Sequence, residues 1–484
     1  MNQDELPLYS ALLRHSHMNP ISFHVPGHKN STVFPALKQN IFKELLKIDQ
    51  TELRNLDDLY APIGVIKDAQ DLTAALYKVK KSFFLVGGST AGNLAMILAS
   101  CEPNDVVFVQ RNCHKSITNG LKLAKVRPVF LSPEYDQEGQ FSTNVSRETV
   151  EQALNKYDNA KALILTSPNY YGIVSKELEQ IITYAKAKGL IVLVDEAHGA
   201  HLTLGEPFPP SAIHFGADIV VHSAHKTLPA MTMGSFLHFN SHRVDLEKLQ
   251  YYLQVIQSSS PSYPIMASLD IARYYLAHIT EDEKIAIIDS ILHFREQLNT
   301  VPQLKIVKSD PQSYADPLKV IVQTRCPLTG FELQKRLETE SIYTEMADRW
   351  NVVFVMPLAP LKNGTTIVEK IKKAVDGLPI LAKPRLTLNR NKEEYIFLNE
   401  ISELALTYGE MKNYSKVRMS VEESIHRISA TTIIPYPPGV PLLIEGEKIT
   451  AGHIEQFISL RKAGAYFQNN DDIWKTGIEV FQRK

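Results

Sequence analysis

Cysteine is scarce in this chain. Only Cys101, Cys113 and Cys326 occur in 484 residues. An odd number, irregular spacing and no C-x-x-C pair exclude a disulfide framework and the usual structural zinc signatures, and suit a reducing compartment. Neither sign of charge is in excess. Against 52 Lys and Arg stand 53 Asp and Glu, a net charge of -1, so composition does not supply the basic surface that a nucleic-acid partner requires. No apolar run is long enough to span a bilayer. Met1 to Ser10 is polar and acidic, unlike a signal peptide. Internal repeats and low-complexity tracts are missing too. These absences lead us to expect a cytoplasmic protein with no membrane or nucleic-acid partner and no metal centre.

What is present is ordinary for a globular protein: 44% hydrophobic and 22% charged residues. The length calls for two or three domains. Residues 1–80 read as an N-terminal arm. Residues 81–300 read as a large domain, because short apolar runs alternate there with helical periodicity. The strand candidates are Phe83–Val86, Val106–Val109, Pro128–Leu131, Ala162–Thr166, Ile191–Val194, Ile219–His222 and Ser235–Phe239. Buried strands separated by helices predict a mostly parallel, doubly wound α/β sheet. Residues 301–383 suggest a smaller α+β domain. Pro384 opens a C-terminal section, 384–484, in which Pro435–Pro441 excludes helix interior.

In open α/β sheets ligands bind beyond the carboxyl ends of the strands, so the polar residues there matter most. The first run leads into Gly87-Gly88-Ser89-Thr90-Ala91-Gly92-Asn93. Small residues and hydroxyls at a helix N-terminus can cradle a phosphate, although the piece alone reads better as a helix cap on a tight turn. It lacks the Gly-Lys-Ser/Thr ending of a Walker loop. Ile191–Val194 ends in Asp195-Glu196-Ala197-His198-Gly199-Ala200-His201. A carboxylate at a buried strand end is costly without a cation or donors. The letters Asp-Glu-Ala-His also occur in helicases, but the missing Walker loop and the neutral charge oppose an ATPase. A metal site drawn from Asp195, His198, His201 and His24 or His28 fits no familiar zinc spacing. Ile219–His222 ends in Ser223-Ala224-His225-Lys226-Thr227. A lysine there is either a surface residue or a desolvated amine able to form an imine with an aldehyde. Ser223 and His225 can both donate to a nearby anion. A phosphate cradle, a buried carboxylate and an imine-forming lysine are together the three groups that pyridoxal 5'-phosphate (PLP) requires.

Ser223–Thr227 also resembles the PLP-lysine motif of the ornithine/lysine/arginine decarboxylase family. Asp195–Gly199 resembles its pyridine-binding motif, Gly87–Thr90 its phosphate loop, and Gln110–Ser116 a block whose histidine, here His114, stacks on the cofactor. Phe23–Lys29, Leu56–Gln70, Ser259–Tyr263 and Pro435–Glu447 are similar to further blocks. Eight collinear motifs cover nearly the whole chain. Without the N-terminal wing of the large enterobacterial enzymes, the chain resembles the short Gram-positive type.

The resemblance implies PLP fold type I (aspartate-aminotransferase-like) with a seven-stranded, mostly parallel sheet. It implies a homodimer with active sites at the subunit interface, where Ser259 and Ser260 approach the partner's cofactor phosphate. It also implies decarboxylation of arginine, lysine or ornithine to carbon dioxide and an amine. Cofactor contacts are then expected from Gly88, Ser89, Thr90, His114, Asp195, His198, Ser223, His225, Lys226, Ser259 and Ser260, with Lys226, Asp195, His114 and His225 catalytic. A basic substrate needs an acidic or carbonyl-lined pocket, for which Glu345, Asp348, Glu445 and Glu447 are candidates. An aminotransferase or other fold type I lyase, and a catalytically silent PLP-binding protein, remain alternatives.

Overall fold

All seven strand candidates form. They are β1 (Lys81–Leu85), β2 (Val106–Gln110), β3 (Arg127–Leu131), β4 (Ala162–Thr166), β5 (Ile191–Asp195), β6 (Ile219–His222) and β7 (Ser235–Phe239). Apart from exposed or half-buried residues at the starts of β1 and β3 and Phe83, the side chains of these strands are buried, as expected of a sheet covered on both faces. The structure, a computed structural model, describes residues 1–35, 41–308, 310–381, 401–436, 439–468 and 473–484. The expected boundary at 383/384 and the prolines Pro437 and Pro438 lie outside the described residues. Among those described, no helix is long and apolar enough to cross a membrane.

The chain divides into two compact units, the first made of residues 1–100, 191–206 and 210–280. Here β5 runs parallel to β6, while β7 pairs antiparallel with both β6 and β1. The N-terminal arm contributes helices α1 (Pro7–His17) and α2 (Val65–Tyr77). α1 buries Leu8, Ala11, Leu12 and His15, the i, i+3, i+4 stripe of an amphipathic helix. A buried Asp270–Arg273 pair anchors it. Asp270 accepts from the Leu8 and Tyr9 N–H groups, and Arg273 donates to the Gln3 and Glu5 carbonyls. The irregular piece before α2 has a definite job. The Asp57 carboxylate accepts from the N–H groups of Ile63, Gly64, Ile66 and Lys67, and so caps α2 from outside the helix.

Helix α3 (Gly88–Ser100) follows β1. Its Gly92 lies so close to the strands that a Cβ there would sit 2.7 Å from Leu85 Cδ1 and 3.0 Å from Val221 Cγ1. Only glycine permits that approach, which brings the helix start down onto the ends of β1 and β6.

The second unit comprises residues 101–190, 207–209 and 281–484. β4, β2 and β3 are parallel neighbours, and α4 (Lys115–Ala124) follows β2. The smaller sheet expected in 301–383 is antiparallel throughout, with β8 (Leu304–Ile306), β9 (Lys319–Thr324), β10 (Met346–Ala347) and β11 (Asn351–Val355) in the order β8-β9-β11-β10. An unanticipated strand, β12 (Ile401–Glu403), pairs antiparallel with β3. The C-terminal section has its own core, including Val421, Ile433, Leu442, Leu443, Ile449, Ile454 and Phe457. The three cysteines, all in this unit, are buried thiols outside any disulfide.

Candidate active site

Three strand ends meet in the first unit. At the end of β5, Asp195 is 3% exposed. Its Oδ2 accepts from Asn93 Nδ2 of α3 at 2.9 Å, and its Oδ1 from the Ala197 N–H at 3.2 Å. Both donors are neutral, and among the described residues no basic side chain pairs with Asp195. A carboxylate so placed is expensive to bury unless a cation completes the site.

At the end of β6 the chain makes a single helical turn, Ala224–Thr227. This turn directs Ser223 Oγ to Ser89 Oγ at 2.8 Å, on α3, and Lys226 Nζ to His198 Nε2 at 3.1 Å, on the segment after β5. The backbone closes the same links: Ser223 N–H donates to the Ala197 carbonyl and Glu196 N–H to the Val221 carbonyl. Thus residues 87–93, 195–201 and 223–227 are joined pairwise on all three sides. An ammonium at Lys226 can only donate to His198, whereas a neutral amine can also accept from it, so the pair can exchange a proton without moving a heavy atom. His225 Nδ1 lies 3.1 Å from the Gly234 carbonyl. A carbonyl only accepts, so Nδ1 carries the hydrogen and, in the neutral ring, Nε2 is the acceptor.

The phosphate-loop candidates open α3. Gly88 has φ +74°, a left-handed conformation that favours glycine. It lets the chain turn so that the first N–H groups of the helix and the hydroxyls of Ser89 and Thr90 lie together at one end. Gln257, not singled out from the sequence, props this loop by accepting from the N–H groups of Val86 and Gly87. Ser259 and Ser260 are exposed and make no hydrogen bond to the other candidates among the described residues.

In the second unit, His114 is the N-cap of α4, its Nδ1 accepting from the Ser116 N–H at 3.2 Å, and its ring is half-buried. Sequence reasoning passed over the end of β4. Asn144, Thr166 and Ser167 are buried, and Asn144 Oδ1, Thr166 Oγ1 and Ser167 Oγ find no partner among the described residues. The rule that singled out the other strand ends applies equally to Thr166-Ser167-Pro168-Asn169.

Three of the four carboxylates considered for a basic substrate are already engaged. Asp348 accepts from Tyr171 Oη and Asn351 Nδ2, and burial raises its pKa. Glu447 takes both Nε and Nη2 of Arg111. Glu445 is bonded by Lys122 and Lys416. Burial works against its ionised form, but these two cations hold its pKa below the ordinary value. Glu345 is exposed and makes no ion pair among the described residues.

The donor set suits PLP. The cluster offers a buried carboxylate with no cation beside it among the described residues, a lysine beside an imidazole, and hydroxyls with N–H groups at a helix start. No group of three or more His, Cys, Asp or Glu among the described residues could hold a metal.

Comparison with known proteins points the same way. Residues 6–364 match the family described as Orn/Lys/Arg decarboxylase, major domain, and residues 393–467 match its C-terminal domain. An uncharacterized protein of Bacillus subtilis, YaaO, is 44% identical, covering 98% of each chain. An arginine decarboxylase of the same organism is 33% identical, covering 100% of this chain and 99% of that one. Among solved structures, lysine decarboxylase A from Pseudomonas aeruginosa superposes with a TM-score of 0.81 at 19% identity, covering 99% of this chain and 80% of that one. The fold is type I of the PLP enzymes.

Proposed function

Since the chain belongs to the ornithine/lysine/arginine decarboxylase family, we propose that it is a PLP-dependent carboxy-lyase that removes carbon dioxide from a basic amino acid and yields the corresponding amine. The observation that carries this reading is the closed three-way link among the strand ends bearing Ser89, Asp195 and Lys226. Bound PLP supplies an electron sink for the pair left when carbon dioxide departs.

In this proposal the chain's own groups have separate tasks. Gly88, Ser89, Thr90 and the start of α3 hold the phosphate, helped by Ser223. Asp195 completes its buried charge against the protonated ring nitrogen. Lys226 would hold the aldehyde and, when not so engaged, could return a proton to the substrate α-carbon, with His198 as its proton partner and His225, when protonated, as a second source. His114 would stack on the ring. Glu345, exposed and in no ion pair among the described residues, remains a candidate for the distal cation of the substrate, beside carbonyl groups.

We further propose a cytoplasmic homodimer with Ser259 and Ser260 serving the partner's site. The motif loops of the arm support it, since Phe23 and Ile63 are 93% and 90% exposed and Ile21 and Val25 are also exposed. Large apolar side chains so displayed mark a contact surface.

The test is to incubate the purified protein and PLP with arginine, lysine or ornithine and to measure carbon dioxide and amine. Borohydride reduction of the loaded protein should fix the cofactor on Lys226, and Lys226→Ala should reduce turnover to background. Keto acids as the only products would sink the decarboxylase reading, and an unmodified Lys226 would sink the cofactor reading.

A further inference from the structure

Asp195 and Val221 face α3, as Asn93 and Gly92 show. Because side chains alternate along a strand, the next residues, Glu196 and His222, face the other way. There Ser82 of β1, His238 of β7, His222 of β6 and Glu196 beyond β5 line up across neighbouring strands. Ser82 Oγ lies 2.8 Å from His238 Nδ1, His238 Nε2 3.0 Å from His222 Nδ1, and His222 Nε2 2.9 Å from Glu196 Oε1. The four residues are 3, 1, 0 and 0% exposed, and Tyr77 covers both imidazoles. We propose that these four side chains form a one-way hydrogen-bond chain whose task is to position the two strand ends that carry Asp195 and Lys226.

The direction follows from the ends of the chain. Glu196 accepts from Ser211 Oγ and the Ala212 N–H as well. An ionised carboxylate only accepts, so His222 donates to it through Nε2–H. Were His222 also protonated on Nδ1, His238 would have to accept there and donate to Ser82, whose own buried hydroxyl hydrogen would then have no acceptor among the described residues. Run the other way, from Ser82 through His238 and His222 to Glu196, every hydrogen is used and one charge is buried. Burial, with His222 adding to it, also keeps the His238 pKa well below the ordinary histidine value, which agrees with a neutral ring.

Both ends of the site feel this chain. Glu196 is bonded to Asp195 through one peptide, and its N–H is held by the Val221 carbonyl. Asp195 therefore cannot tilt without moving a buried carboxylate held by three donors. His222 immediately precedes Ser223, from which the lysine turn departs. Ser82, His238, His222 and Glu196 are positioning residues for the cofactor site.

The inference rests on the PLP reading, but its first test does not need the cofactor. In the unaltered full-length protein labelled with ¹⁵N-histidine, nitrogen shifts at neutral pH should show His222 and His238 both neutral with hydrogen on Nε2. A hydrogen on Nδ1 of either ring overturns the proposal. The second test measures PLP affinity and the visible circular dichroism of bound PLP. His222→Leu strips one donor and one acceptor from the chain and should weaken PLP binding roughly tenfold and shrink the dichroic band. His222→Gln, which keeps one donor and one acceptor, should restore affinity to within about threefold of the parent, a factor worth under ~1 kcal/mol. Val220→Ala opens space on the same face without deleting a polar atom, and should lower Tm but leave PLP affinity unchanged. If Val220→Ala weakens PLP binding as much as His222→Leu, or if His222→Gln fails to restore it, the positioning role is refuted.

Discussion

At the scale of single residues, two buried charges make opposite predictions. Among the described residues Asp195 has only neutral donors, so removing its charge should relieve the fold of a desolvation cost and impair the chemistry. Asp195→Asn should keep the melting temperature and lower turnover by roughly 10²–10³, the usual worth of a preorganised electrostatic partner. A Tm scan beside steady-state rates checks both halves. Arg111 and Glu447 are the contrary case, a buried pair doubly bonded to one another, with the arginine also donating to the Pro441 and Leu442 carbonyls. Arg111→Met leaves Glu447 buried and unpaired, and should cost about 3–5 kcal/mol in urea unfolding. Adding Glu447→Leu should recover part of that loss, and a double variant no more stable than the single would refute the pairing. Asp195, Lys226 and the loop at Gly88 were legible in the sequence because each follows an apolar run. Glu447 was legible only as a carboxylate, because its partner stands 336 positions away and pairing over that distance leaves no local pattern. The Ser82–His238–His222–Glu196 chain escaped notice for a similar reason. His222 and His238 lie inside runs that read as strands, Ser82 stands just before one and Glu196 just after another, and nothing local links the four until strand order is known.

At the scale of elements, the strands were easier to read than the helices of the arm. Seven apolar runs of strand length gave seven strands, since burial on both faces writes a continuous signature. β12 is three residues long and at most half-buried, too short and too wet to leave one. The α1 stripe of Leu8, Ala11, Leu12 and His15 was present in the sequence, but proximity to turn-rich motifs masked it. α2 hid its start because its cap, Asp57, lies eight residues before Val65 instead of adjoining it. The packing of α3 gives the sharpest prediction at this scale. Gly92→Ala would place a methyl 2.7 Å from Leu85 Cδ1, so the helix must lift or the strands part. Overpacking of this kind costs typically about 1–3 kcal/mol. Because Ser89 and Asn93 ride on the same helix, PLP affinity should fall with stability, and calorimetry with a cofactor titration on the same variant will show whether the two losses travel together.

At the scale of the whole molecule, the homodimer proposal predicts twice the 54.5 kDa chain mass in sedimentation equilibrium. Phe23→Asp should shift the mass toward one chain and abolish activity, and an active single chain would refute the shared site. Stability should also depend on pH with a known sign. His238 is held neutral in the folded state, well below its ordinary value, by burial and by His222, while in the unfolded chain it titrates near ~6.5. Its stabilisation is therefore complete above about pH 6.5 and is lost as pH falls below it, by about 1.4 kcal/mol per pH unit. Of the groups facing it, Ser82 and Tyr77 stay neutral through that range, and Glu196 reaches it only through His222. Urea midpoints at pH 7.5 and 5.5 test this, and a midpoint that holds or rises at the lower pH contradicts it. The buried cysteines carry one last consequence. Cys101, Cys113 and Cys326 all lie in the second unit, and the first has none. A bulky thiol reagent added to the native protein therefore reads the opening of one half alone, three natural reporters that keep time for the small sheet and the β2–β4 region while the lysine-bearing half stays silent.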